Sequence, residues 1–243
     1  MKNNLLKSLA VAVVIAGVIT SGARAQTTVG VDLNASWLGY MAFFDNGGGP
    51  TGSKGVTQYY GGGWGFSDLK SALGPTTLTL QPNYNTYANS LAGSDADRAF
   101  WTDSTDGGVT AGPNGNKWME ANSYIENVTW GGGLLTFTGL IQSSTMLSPN
   151  YTVSAFIKSF DGSWGWIGWS QDFVANGDTN FSVTFNAPAG IVQYGFLVEG
   201  LNANPANEIA NGSVVVLPEP STYALLALGA AGLGAHLIRR RRR

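Results

Sequence analysis

Trp164, Trp166 and Trp169 stand within six residues of one another, spaced by glycine and one isoleucine and preceded by Asp161-Gly162-Ser163. In an extended segment Trp164 and Trp166 point to the same face. Exposed indoles in a row are what pyranose rings stack on, because the C–H face of a sugar needs a flat apolar partner. Asp161, Gln171 and Asp172 lie close enough in sequence to accept from its hydroxyls. Tryptophan is highly buried on average, so packing in the core or at its rim is the first expectation and a ligand platform the alternative.

Two sets of acids offer other chemistry. Asp95, Asp97, Asp103 and Asp106 fall close together with Arg98 among them. Oxygen-rich loops of this kind bind calcium, which takes six to eight oxygen ligands. The spacing does not follow the Asp-x-Asp-x-Asp-Gly calcium loop, so a solvated acidic loop is the preferred reading, calcium the weaker one, and no cofactor is expected. Glu120 and Glu126 could form a glycosidase pair only if their carboxyls came within about 5 to 9.5 Å across a cleft. Their spacing does not require that, and Glu126 falls on the outward side of a strand-like run, so catalysis is not expected.

The composition removes several classes of mechanism. There is no cysteine, hence no thiol nucleophile, no thiolate metal site and no disulfide. The single histidine, His236, lies in a C-terminal apolar run, which leaves the body of the chain without Ser-His-Asp chemistry or histidine-ligated zinc.

The elements that would position these residues are strands. Between Gln26 and Val216, short alternating runs are punctuated by glycine, asparagine and proline, and no helical period of convincing length occurs. The candidates are Gly30 to Phe44, Thr76 to Leu80, Ser123 to Trp130, Leu134 to Ile141, Thr152 to Phe160, Phe181 to Asn186, Ile191 to Leu201 and Gly212 to Leu217. Phe181, Val183 and Phe185 share one face, as do Val192, Tyr194, Phe196 and Val198, and these rows are read as core. Gly131-Gly132-Gly133 separates two such runs and reads as a hairpin turn. A short helix is expected over Gly65 to Leu73 with Ser67 as its cap, and long rim loops over Gln81 to Asn116. About 190 residues suffice for one core, so residues 26–216 are read as a single all-β domain.

Both ends of the chain have a different character. Lys2 and Lys7, an apolar run from Leu9 to Ile19, and Ala23-Arg24-Ala25 make a signal peptide over residues 1–25, with signal peptidase cutting after Ala25. At the other end, residues 217–243 hold Pro218-Glu219-Pro220, about 16 small or leucine residues from Tyr223 on, and Arg239, Arg240, Arg241, Arg242 and Arg243. As a helix that run is about 24 Å long against a hydrocarbon core of about 30 Å, a short transmembrane span whose arginines stay cytoplasmic. Between the signal and the terminal arginines only Lys54, Lys70, Arg98, Lys117 and Lys158 oppose 15 acidic residues, about −10 overall. Such a surface disfavours nucleic acid as a partner.

This tail resembles the PEP-CTERM sorting signal of Gram-negative bacteria, in the order motif, Ser-Thr-Tyr-Ala-Leu-Leu-Ala-Leu-Gly, arginine cluster. The resemblance implies recognition of Pro218, Glu219 and Pro220 by an exosortase, in an organism that makes extracellular polysaccharide. From Trp37 onward the chain also looks like an uncharacterised family of exported β-rich bacterial proteins. That likeness rests on Trp37-Leu38-Gly39-Tyr40-Met41 with Phe44-Asp45, Gly63-Trp64-Gly65, Leu78-Thr79-Leu80 with Pro82-Asn83, and Gly115-Asn116-Lys117. It continues through Glu120-Ala121-Asn122-Ser123-Tyr124, Thr136-Phe137-Thr138-Gly139, Ala155-Phe156-Ile157-Lys158 and Gln193-Tyr194-Gly195-Phe196. It implies a jelly-roll-like antiparallel β-sandwich similar to carbohydrate-binding modules and supplies no catalytic residues. The expectation is an exported surface or matrix protein, held in the inner membrane with its acidic sandwich in the periplasm until an exosortase processes it. The sandwich would contact exopolysaccharide without catalysis; a glycan hydrolase and a self-associating structural protein are the alternatives.

Overall fold

The computed structural model describes residues 26–48, 52–146 and 150–218. The signal peptide with Ala23 and Ala25, and the tail from Glu219 through Pro220 to Arg239–Arg243, lie outside the described residues. Among the described residues no helix is long and apolar enough to cross a membrane.

In chain order the strands are β1 Thr27–Val29, β2 Leu38–Asn46, β3 Lys54–Trp64, β4 Ser71–Leu73, β5 Leu78–Leu80, β6 Lys117–Trp130, β7 Gly133–Ser144, β8 Tyr151–Phe160, β9 Trp166–Phe173, β10 Asn180–Ala187, β11 Gly190–Leu201 and β12 Val214–Leu217. They form two six-stranded sheets. One runs β1-β7-β12-β5-β4 with β10 also on β7; the other runs β3-β2-β6-β11-β8-β9. The all-β sandwich is therefore present, with one departure from a wholly antiparallel arrangement: β1 lies parallel to β7.

The alternating rows do what their period requires. Phe137 and Phe181 of the first sheet both meet Phe196 of the second, and Phe137 also meets Tyr194, with ring centroids 5.1 to 5.4 Å apart. Edge and tilted contacts at that separation suit the ring quadrupole. Met41, Ala121, Val153, Ala155, Ile157, Val192 and Val198 complete the inner face of the second sheet and are buried. Because side chains alternate, Tyr40, Ala42, Glu120, Asn122, Leu197, Glu199 and Lys158 must stand on the outer face.

Several local expectations are corrected. Gly131 and Gly132 do not turn a hairpin, since β6 and β7 belong to different sheets; they form the corner where the chain crosses the sandwich. Gly132 has φ +86°, and a Cβ there would lie 2.9 Å from the Ala189 amide nitrogen, so a left-handed, side-chain-free residue is required. The helix expected over Gly65 to Leu73 shrinks to a single 3-10 turn, Ser67–Leu69, followed by β4. The expected rim loops hold two helices instead, α1 Asn85–Leu91 and α2 Asp95–Trp101. Phe100 and Trp101 of α2 pack on Phe43 and Tyr59, which fastens this helix against the β2–β3 edge. A third short helix, α3 Glu208–Asn211, precedes β12.

Candidate functional site

The strand register brings the chemistry-bearing residues to one place, an open groove of about 690 Å³ on the outer face of the second sheet. Its floor is apolar: Ala42 and Phe44 of β2 and Leu197 of β11 are buried although they face away from the sandwich core. Tyr40 stands on the β2 side and Trp166 and Trp169 on β9, with four charged side chains between them: Lys54, Glu120, Glu199 and Lys158.

The three tryptophans are exposed, at 53, 56 and 41 % for Trp164, Trp166 and Trp169. Burial in the core is thus corrected. Their pairing is also different from that of a regular strand. Register slips between Ser159 and Phe160, which pair with Gly168 and Trp166, so Ile167 is an extra residue. This bulge lets Trp166 and Trp169, three positions apart, both line the groove. Trp164 instead sits in the turn before β9 at φ 67°, its ring 5.7 Å from Phe160 and outside the groove lining.

The polar residues near the indoles divide in the same way. Asp161 Oδ1 accepts from the amides of Ser163 and Gly165 at 2.8 and 2.7 Å, which commits it to the turn. Asp172 accepts from the Ser182 amide at 3.1 Å and ties β9 to β10. Gln171 alone of the three lines the groove, where its Oε1 accepts from Ser154 Oγ at 3.2 Å.

Between the aromatic banks runs a chain of charges. Lys54 Nζ meets Glu120 Oε1 at 2.5 Å and lies 4.0 Å above the Phe44 ring. Glu120 and Glu199 are directly opposed across β6 and β11, a placement that separates Cβ atoms by about 4.5 to 5.5 Å. Burial, and then the neighbouring Glu120 carboxylate, raise the Glu199 carboxyl above its ordinary pKa. Lys158 donates to Asn122 Oδ1 at 2.5 Å and rests 4.3 Å from the Phe156 ring. Its backbone pairs with Gln193, whereas Asn122 pairs with Leu197, four residues along β11. The lysine therefore reaches diagonally across β11, passing the Phe156 ring on its way to Asn122. Burial lowers the Lys158 ammonium to a pKa of about 8, against the opposing influence of Glu120 and Glu199.

The other sequence-derived sites do not assemble. Glu120 and Glu126 are six residues apart on one strand, about 20 Å at 3.4 Å per residue, too far for a catalytic pair. Glu126 accepts from Gln193 Nε2 at 2.8 Å. The four aspartates serve four separate purposes. Asp97 closes a capping box with Ser94 at the start of α2, and Asp95 pairs with Arg98. Asp103 accepts from the Asn114 amide at 2.8 Å and from its Nδ2 at 2.9 Å. Asp106 accepts from Ser104 Oγ at 2.8 Å and from the Thr110 amide at 3.0 Å; these bonds, the Thr110 amide first, hold its pKa at about 2. No group of three or more metal-capable side chains occurs among the described residues.

Sequence reasoning missed Tyr40, Lys54, Lys158, Glu199 and Leu197 as partners. They lie on four different strands, and only their common outward parity could have pointed to them. The sheet ends directly at the sorting motif: β12 is paired with β5 and β7, and Pro218 is the next residue. Residues 216–243 match the PEP-CTERM protein-sorting motif. That motif implies export, exosortase processing and a surface or extracellular destination. No curated protein matches the chain.

Proposed function

We propose that this chain is an exported surface or matrix protein whose β-sandwich binds extracellular polysaccharide, without catalysis, through the groove on its outer sheet face. A signal peptidase removes residues 1–25, and the C-terminal helix holds the chain in the inner membrane until an exosortase acts at Pro218-Glu219-Pro220. The observation that carries the binding reading is the pair of exposed indoles, Trp166 and Trp169, brought to one face by a bulge and set beside a polar strip over an apolar floor. Flat apolar surface next to convergent hydrogen-bonding groups is the combination a sugar ring needs.

The test is affinity electrophoresis of the full chain, in non-ionic detergent, through gels containing the producing organism's exopolysaccharide. Retardation that is absent in gels without polymer supports the reading; equal mobility in both removes it. For the sorting step, Pro218→Ala with Pro220→Ala should leave the chain in the membrane fraction, whereas unchanged release would contradict the assigned motif.

A second reading has one specific observation behind it. Glu120 and Glu199 face each other in the groove, the first paired with Lys54 and the second with its carboxyl raised by burial, and two carboxyls in unlike surroundings are what glycosidases use. Release of reducing ends from the same polysaccharide, abolished by Glu199→Gln, would establish it in place of simple binding.

A further inference from the structure

The charge of the groove differs from that of the chain around it. Outside the leader and the terminal arginines there are five cationic side chains against 15 acids. Two of those five, Lys54 and Lys158, line the groove, where they face Glu120 and Glu199. The groove is therefore charge-balanced within a strongly acidic protein.

Each of these charges is engaged but not saturated. An ammonium has three donors, and the hydrogen bond of Lys158 to Asn122 Oδ1 uses one. A carboxylate has about four acceptor sites, and the contact of Glu120 with Lys54 uses one. Two donors thus flank two acceptors across the floor, in the order lysine, glutamate, glutamate, lysine. Hydroxyls donate and accept at once, so the hydroxyls of a sugar can meet both kinds of group. A carboxylate can only accept, and one placed in this groove would lie beside both glutamates as well as both lysines, so it gains no net attraction there while it meets the acidic surface around the groove.

The dimensions suit a polymer lying across the strands. From β2, which carries Tyr40, to β9, which carries Trp166 and Trp169, there are four strand spacings. That is about 19 Å, the length of a short oligosaccharide.

Resting on the polysaccharide-binding reading above, we propose that the groove takes an uncharged hexose polymer lying across strands β2 to β9, in preference to a polyuronate. Stacking on Trp166 and Trp169 fixes the sugar faces, and Lys54, Glu120, Glu199 and Lys158 read the hydroxyls.

The experiment compares the full chain in gels containing hydroxyethylcellulose or galactomannan with gels containing alginate or polygalacturonate, at low and at high salt. At least one neutral polymer should bind about ten-fold or more tightly than either polyuronate, with little change in high salt, since its contacts are hydrogen bonds and stacking. Glu199→Gln should narrow that gap by improving alginate binding. Stronger retardation by the polyuronates, lost in high salt, would overturn the inference while leaving polysaccharide binding intact, as would a gap that Glu199→Gln does not move. Retardation by none of the four, nor by the exopolysaccharide, defeats the underlying reading.

Discussion

Replacing Trp166 and Trp169 together by alanine strips one bank of the groove while leaving the sandwich core untouched. The size of the effect follows from the exposed area. A tryptophan side chain offers about 200 Å², so exposures of 56 and 41 % leave about 110 and 80 Å² open to a ligand. If a sugar face covers half of each, the loss at about 25 cal/mol per Å² is about 1.4 kcal/mol for Trp166 and about 1.0 kcal/mol for Trp169. Together they make about 2.4 kcal/mol, about sixty-fold in the dissociation constant. The assay is affinity electrophoresis over a series of polysaccharide concentrations, with thermal unfolding of each variant alongside. Unchanged unfolding is expected because the rings stand outside the core. A double variant that stays folded and keeps the parent's retardation would show that the indoles do not hold the sugar; loss of binding seen only together with loss of the fold would equally deny them that role.

Three further outcomes follow from particular contacts. Phe137→Ala should cost about 3 to 5 kcal/mol, because that ring packs on Phe181 in its own sheet and joins the other sheet through Phe196 and Tyr194; urea unfolding measures it. Gly132→Ala should destabilise by about 1 to 2 kcal/mol through its positive φ and the nearby Ala189 amide, whereas Gly131→Ala, with open space at its Cβ, should be nearly neutral. Lys158 sets a pH dependence: its folded pKa of about 8 lies below the ordinary lysine value of 10.5, so between those limits the unfolded chain holds more protons. This group therefore makes stability rise with pH across that window, by up to about 1.4 kcal/mol per pH unit, and Lys158→Met should lack the rise. Parallel urea midpoints for parent and variant across the window would contradict the assigned environment.

The core was legible in the sequence because the period-2 rows of β10 and β11 are uninterrupted and bury one face. Strand β3 was not, since Lys54 to Trp64 contains glycine at four of its 11 positions and shows little alternation, and it is held mainly by pairing with β2. The corner at Gly131-Gly132 carries the same local signal as a hairpin turn, and only the identity of the sheets on either side separates the two. Helix α2 did leave a sign, Ser94 followed three residues later by Asp97, a capping box with aspartate in place of the usual glutamate.

The tryptophans were visible, but their arrangement was not. An even spacing made Trp164 and Trp166 look like partners. The bulge at Ile167 and the left-handed turn at Trp164 pair Trp166 with Trp169 instead. Likewise Glu120 was noticed with the wrong partner, because Glu199 comes opposite it only through the β6–β11 register, 79 residues away in sequence. The sorting motif was legible because it is a linear signal carried by consecutive residues.

The most direct test of the groove as the polysaccharide site is oxidation of exposed indoles by N-bromosuccinimide, with and without bound polysaccharide, read residue by residue by mass spectrometry. Trp164 is as exposed as the groove tryptophans but lies outside the groove, and so serves as an internal reference. With the groove as the site, polysaccharide slows oxidation of Trp166 and Trp169 while Trp164 reacts as before. Equal protection of all three, or protection of Trp164 alone, would place the ligand elsewhere and contradict that assignment.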